Sequence, residues 1–253
     1  MSIIKIKNVE IGEGIPKICI PLTGRSRDEI VEEMKIVKEY GPDLIEWRAD
    51  FFEESDNLEK VCEMLETIND NFKQNPVLFT FRTKEEGGEK FIMPEDYVKL
   101  LKEVSKRKLT DIVDVQVFWY PMNSKELVEE LKNMGVTVLA SSHHFEGTPS
   151  KEAISEALYT MEEWGADFLK IAVMPQTEED VCALLAATIE RKQKSRKPII
   201  TMSMGQKGML SRICGEFTGS CITFAAGRQS SAPGQIKADE MKKVLKDINE
   251  ILK

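Results

Sequence analysis

Eight short β-branched runs recur along the chain, at 17–22, 44–48, 77–82, 112–117, 136–141, 168–173, 199–203 and 221–224. Amphipathic stretches fill the intervals. Leu58, Val61, Cys62, Leu65 and Ile68 share one helix face by their spacing, as do Ile154, Ala157, Leu158 and Met161. Met241, Val244, Leu245, Ile248, Ile251 and Leu252 close the chain in the same pattern. A strand followed by a helix, repeated eight times with mostly short connections, predicts an α/β chain folded as a (β/α)₈ TIM barrel. A doubly wound open sheet is the alternative, but no G-x-G-x-x-G follows the first strand. Several runs are apolar almost throughout, as parallel strands buried on both faces require. The 253 residues suit one barrel domain over 1–253. Segment 3–9 alternates Ile and Lys ahead of a Gly-Glu-Gly turn, and reads as an extra strand or hairpin that closes the bottom of the barrel.

Composition narrows the chemistry. With 42% hydrophobic and 31% charged residues, the chain has enough apolar mass for a substantial core, which sets aside disordered and fibrous readings. The two histidines, His143 and His144, are adjacent, so sites needing three imidazoles or an H-E-x-x-H helix are excluded. The five cysteines are scattered and contain no C-x-x-C pair, which argues for a reducing cytoplasm and against a disulfide framework or zinc knuckle. No apolar run suits a secretory leader or a membrane span. A net charge of −8 disfavours nucleic acid, and the one basic run, 191–197, falls where a helix should end and reads as a solvated helix terminus.

In a barrel of this kind the chemistry gathers at the C-terminal ends of the strands. Glu46 and Arg48 lie two apart on the second strand, so both face one side while Trp47 faces the other. Lys170 interrupts an otherwise apolar strand, Phe168 to Val173, where a lysine is costly unless it has a task. A lysine amine set in such an apolar strand can attack a ketone to form a Schiff base. His143 ends the neighbouring strand and suits a proton shuttle, with His144 turned away from it. Glu86, in the loop after the third strand, would orient that imidazole, while Glu85 and Glu89 read as solvated turn residues.

Six segments then resemble the type I 3-dehydroquinate dehydratases in one order: IEWRADFF (45–52), FTFRTKEEGG (79–88), SSHHF (141–145), LKIAVMPQ (169–176), ITMSMGQKGMLSR (200–212) and SSAPGQ (230–235). The resemblance spans essentially the whole chain. It implies a (β/α)₈ barrel, usually a homodimer in the cytoplasm. It also implies a lyase that dehydrates 3-dehydroquinate to 3-dehydroshikimate in the shikimate route to aromatic amino acids, with no metal or organic cofactor. By the same resemblance Lys170 is the Schiff-base lysine, His143 the general acid and base, and Glu86 its partner. Glu46, Arg48, Arg82, Arg212, Ser231 and Gln235 become the substrate-binding set, with Arg212 suited to the substrate carboxylate and the loop 230–235 able to close over the ring, Gly234 giving it flexibility.

Three positions depart from the family pattern. Many relatives have an aspartate where this chain has His144, an acid at Gln116, and in some cases a serine at Pro21. Two other functions fit the same barrel: a Schiff-base aldolase, which would use Lys170 to break a carbon–carbon bond, and a ligand-binding barrel without catalysis.

Overall fold

The computed structural model describes residues 2–119 and 124–253. The chain opens with an antiparallel hairpin, β1 (Ile4–Ile6) and β2 (Val9–Ile11), paired Ile4 to Ile11 and Ile6 to Val9. Eight parallel strands follow: β3 (Lys17–Leu22), β4 (Leu44–Arg48), β5 (Val77–Thr80), β6 (Ile112–Gln116), β7 (Thr137–His144), β8 (Phe168–Val173), β9 (Ile199–Ser203) and β10 (Ile222–Phe224). They pair in chain order from β3 to β9, and β10 lies beside β3. The ring closes where Cys221 N donates to the Ile199 carbonyl at 2.8 Å, next to a parallel bridge between Ile199 and Ser220. The result is a nearly closed TIM barrel, as the strand-and-helix alternation predicts.

The helices surround it: α1 (Arg27–Tyr40), α2 (Leu58–Asn71), α3 (Pro94–Lys106), α4 (Ser124–Asn133), α5 (Lys151–Glu163), α6 (Glu178–Lys194), α7 (Met209–Ile213), α8 (Gly215–Thr218) and α9 (Ala238–Leu252). Local chemistry sets their ends. The Ser26 side chain accepts from Glu29 N at the start of α1, and Gly41 ends that helix at φ 56°, a left-handed conformation that suits glycine. Thr177 and Asp180 form a reciprocal capping box on α6.

Strand alternation divides the apolar residues into two cores. Outward-facing Ile45, Trp47, Phe79, Val113, Val138, Leu169 and Ile171 pack against the helices. Inward-facing Leu44, Leu78, Ile112, Leu139, Phe168 and Ile200 fill the lower barrel, and Ile6 and Ile11 of the hairpin join this inner cluster. Lys7 pairs with Asp111 at 2.8 Å and donates to the Asn75 carbonyl at 2.8 Å, which anchors the hairpin to the loops entering β6 and β5. The hairpin therefore plugs the N-terminal end of the barrel. One ladder step above the aliphatic layer the lumen turns polar, with Glu46, Thr80, Asp114, Ser141 and Lys170 all buried.

Of the strand or hairpin expected at segment 3–9 the hairpin forms: the chain reverses at Lys7, at φ 51°, so the Ile and Lys alternation is shared between two short strands. Two other expectations need adjustment. The basic run 191–197 is not wholly solvated, because Arg191 is buried, paired to Glu162 at 2.7 Å and set over the Tyr159 ring. The apolar face of α9 is fully covered at Ala238, Met241 and Leu245 and half-covered at Val244 and Ile248, while Ile251 and Leu252 are exposed.

Candidate active site

The polar layer opens upward into a cleft at the C-terminal end of the barrel. It is lined by Glu46, Arg48, Arg82, Glu86, His143, Lys170, Arg212, Ser231 and Gln235, so every site residue expected from the sequence converges on one cavity. Its apolar wall comes from Ala172, Met202, Met204, Phe145 and Phe224.

Lys170 stands in mid-strand on β8, in register with Ser141 on β7 and Ile200 on β9. Its Nζ lies 3.4 Å from Asp114 Oδ2 and 4.6 Å from the centroid of the Phe224 ring. Asp114 is engaged elsewhere at shorter range, with Arg82 Nη2 donating to the same oxygen at 2.7 Å and Ser141 Oγ to the other at 2.6 Å. Burial would raise this carboxyl, but Arg82, Lys170 and the Ser141 hydroxyl outweigh it and hold Asp114 below the usual aspartate range. The lysine thus has a permanent anion beside it whose strongest bonds go to other groups.

His143 projects inward from the end of β7, and its Nδ1 is 2.8 Å from Glu86 Oε2. Nδ1–H donates to the carboxylate in the neutral tautomer that this contact selects, leaving the Nε2 lone pair for the cavity. Burial, then the charges of Arg82 and Lys170, push the imidazole well below its ordinary value. Burial also raises Glu86, to about 7, against the opposing pull of Arg82. The two shifts run in opposite directions, so the imidazole stays neutral with a carboxyl beside it that can share its proton. His144 points the other way, as strand alternation requires: its Nε2 is 3.2 Å from Ser142 Oγ.

Glu86 ends a 3-10 turn, Lys84–Glu86, in the loop after β5. Gly87 follows at φ 80°, and at Gly88 an added Cβ would fall 1.9 Å from the Arg82 carbonyl oxygen. The two glycines of FRTKEEGG are thus demanded by the path that brings Glu86 back over the barrel. Gln116 holds the start of that loop, accepting from Thr83 N at 2.8 Å and donating to Thr83 Oγ1 at 2.9 Å. An amide serves here as acceptor and donor at once, which an ionised carboxylate cannot.

Glu46 and Arg48 share the lumen face as expected, with Trp47 outside against Phe52 and Phe79. They do not form an ion pair. Glu46 accepts from Thr80 Oγ1 at 2.9 Å, and Arg48 forks onto Asp50 at 2.8 and 2.7 Å. Arg212, on α7, is buried with no carboxylate within ion-pair distance among the described residues. Its contacts are the Pro233 carbonyl at 3.0 Å and the Met202 sulfur at 4.0 Å, and its Nε has no partner. Burial lowers this guanidinium to about 10. A buried, unpaired fork beside a cleft is built for an incoming anion.

The loop 230–235 lies over the cleft, tied by Arg212 at Pro233, by Arg48 Nη1 at the Ser231 carbonyl (3.4 Å) and by Gly205 N to the Pro233 carbonyl. Gln235 and Ser231 bond to each other, with Ser231 N donating to Gln235 Oε1 at 2.8 Å and Gln235 Nε2 to Ser231 Oγ at 3.0 Å. Gly234 serves close approach, not flexibility: its φ is 76° and a Cβ would meet the Gly205 carbonyl oxygen at 2.2 Å.

Asp114, Ser141 and Asp50 were not singled out from the sequence. For the first two a signal was present, because each is a polar residue at an inward position of an apolar strand, the argument that isolates Lys170. Asp50 lies past the end of β4, where strand alternation no longer says which way a side chain faces.

Comparison with known proteins bears on this geometry. The family model described as type I 3-dehydroquinase matches residues 18–251. The chain is 46% identical over 253 residues to the 3-dehydroquinate dehydratase of Clostridium novyi (strain NT), covering 100% of both chains. It is 45% identical over 251 residues to that of Bacillus velezensis, covering 99% of each. Among solved structures, the type I 3-dehydroquinate dehydratase from Clostridium difficile with covalently modified comenic acid superposes with a TM-score of 0.94 at 45% identity, over 99% of this chain and 98% of that one. The 3-dehydroquinate dehydratase from Geobacillus kaustophilus HTA426 gives 0.96 at 36% identity, over 100% and 98%.

Proposed function

The chain belongs to the type I 3-dehydroquinase family and is an enzyme of that type, and from this premise we propose that it dehydrates 3-dehydroquinate to 3-dehydroshikimate through a Schiff base on Lys170, as a step of the shikimate route. The observation that carries the reading is the placement of Lys170 Nζ in the polar lumen, one strand from the His143–Glu86 pair and in the same cleft as the unpaired Arg212. The aldolase and the non-catalytic barrel are set aside by the family to which the chain belongs.

Arg212 takes the substrate carboxylate, and Glu46, Arg48, Arg82, Ser231 and Gln235 meet the hydroxyls and the keto oxygen. The amine of Lys170 attacks the C3 carbonyl carbon. One proton of the attacking nitrogen passes to the oxygen through His143, and a second, taken up from bulk water, lets that oxygen depart as water and leaves a cationic iminium, with Asp114 as the neighbouring anion. The iminium withdraws electrons from C2, and Nε2 of His143 removes the C2 proton, giving an enamine. The enamine pushes out the C1 hydroxyl, which takes the proton from His143 and departs as water. A second water then adds to the iminium, and collapse of that adduct releases the enone, restores the lysine and returns to the solvent the proton taken up for the first dehydration. One imidazole serves both C2 and C1 because its acid step returns what its base step took. The family also carries a homodimer in the cytoplasm into this reading.

Incubation with 3-dehydroquinate tests it. The account expects growth of the conjugated enone absorbance of 3-dehydroshikimate with catalytic turnover; absence of that band under conditions where the protein is folded would overturn it.

A further inference from the structure

Asp50 is fully buried and does not line the cleft, yet its carboxylate holds four donors from three parts of the site. Oδ1 accepts from Arg48 Nε at 2.8 Å and from Arg82 N at 3.3 Å. Oδ2 accepts from Arg48 Nη2 at 2.7 Å and from Glu89 N at 3.1 Å. Arg82 and Glu89 are the two ends of the segment that carries Glu86, so the carboxylate clips that loop shut at its base. On its other side it orients Arg48, whose remaining Nη1 faces the Ser231 carbonyl of the loop covering the cleft.

We propose that Asp50 is a positioning residue for the dehydration, joining the substrate-gripping Arg48 to the loop that sets Glu86 against His143. The inference rests on the roles of Glu86 and His143 given above. The chemistry requires a carboxylate at this point. Each oxygen takes one guanidinium N–H and one backbone N–H, so all four partners are donors and an acceptor-only group satisfies them. An amide of the same shape would turn its NH₂ toward two of those donors whichever way it was rotated, and would free one loop end and one arm of Arg48 together. Gln116 at Thr83, Arg25 at Glu89 and the Lys90 ammonium at Ser55 hold the loop separately, so it would stay attached while its seating on the carboxylate shifted.

A double-mutant cycle with Asp50→Asn and Glu86→Gln tests the coupling, with kcat and KM measured for each variant and thermal unfolding followed in parallel. Asp50→Asn is expected to raise KM, through Arg48, and to lower kcat by roughly 100-fold, the scale of a displacement of about 1 Å in a catalytic group. In the Glu86→Gln background the same substitution should cost kcat only about threefold or less, since residues acting through one another are not additive. An equal fold-loss in both backgrounds, or a single variant with kcat within about twofold of the parent, overturns the proposal. If Glu86→Gln alone leaves kcat unchanged, the role given to Glu86 fails as well, and that single variant shows it. Should Asp50→Asn not fold, Asp50→Ser is put through the same cycle and judged by the same outcomes.

Discussion

His143 Nδ1 lies 2.8 Å from Glu86 Oε2, joining the end of one barrel strand to a loop that leaves another two positions around the ring. This contact decides which face of the imidazole reaches the cleft, and it couples the ionisation of the two groups. The neighbouring imidazole, His144, shares none of it and turns to Ser142 outside the lumen.

The two histidines therefore separate by substitution. His143→Ala should lower kcat by about 10²- to 10⁴-fold, the usual worth of a positioned acid–base group. His144→Ala should leave kcat within about threefold, a change of well under 1 kcal/mol in barrier. Steady-state kinetics on both variants decide it, and the reverse ranking would transfer the proton-shuttling role to His144.

The pH dependence follows from the directions of the two shifts. Burial and the cations around His143 keep it unprotonated below the ordinary histidine range, so the acidic limb of kcat/KM should lie under pH 6.5. Glu86 moves the other way, from 4.5 in the unfolded chain to about 7. Between those values the folded state binds the extra proton, so this group favours folding at low pH and that contribution is lost as pH rises through about 7. Glu86→Gln removes the titration. Its unfolding free energy relative to the parent should therefore climb from pH 4.5 to 7 and level off above that, and a flat difference across the window would contradict the burial account.

Arg212 exchanges stability for binding. Removing a charge-assisted hydrogen bond of about 1.5–3 kcal/mol to the substrate should raise KM by roughly 10- to 100-fold in Arg212→Met. Because the guanidinium has no carboxylate partner in the free protein, its replacement by an apolar side chain should leave the melting temperature unchanged or higher. A large fall in melting temperature with KM unaltered would show that Arg212 is a structural cation.

Much of this was legible in the sequence because a buried strand carries its own coordinate system. Once Lys170 is placed on an apolar strand, the period of two fixes that it shares the lumen with Phe168 and Ala172, and the same rule separates Glu46 and Arg48 from Trp47. His143 and Glu86 could be read from their places at a strand end and in the loop after the third strand, and the family motifs added the roles of Arg82, Arg212, Ser231 and Gln235, which period alone could not bring together. Partners were the unreadable part. Nothing in the spacing of Arg48 and Asp50 says that they fork onto each other while Glu46 turns to Thr80. The turn at Lys7 was hidden for a related reason: alternation of Ile and Lys looks the same in one strand as in two halves of a hairpin. The exposed end of α9 was missed because periodicity marks an apolar face without saying how far its covering extends.

The most direct test of the central claim is intact-mass spectrometry after borohydride reduction in the presence of 3-dehydroquinate, with peptide mapping of the product. The account predicts a stable single adduct on Lys170 in the parent protein and none in Lys170→Ala, which should also lose turnover. An adduct mapped to another lysine, or full turnover by Lys170→Ala, would contradict it.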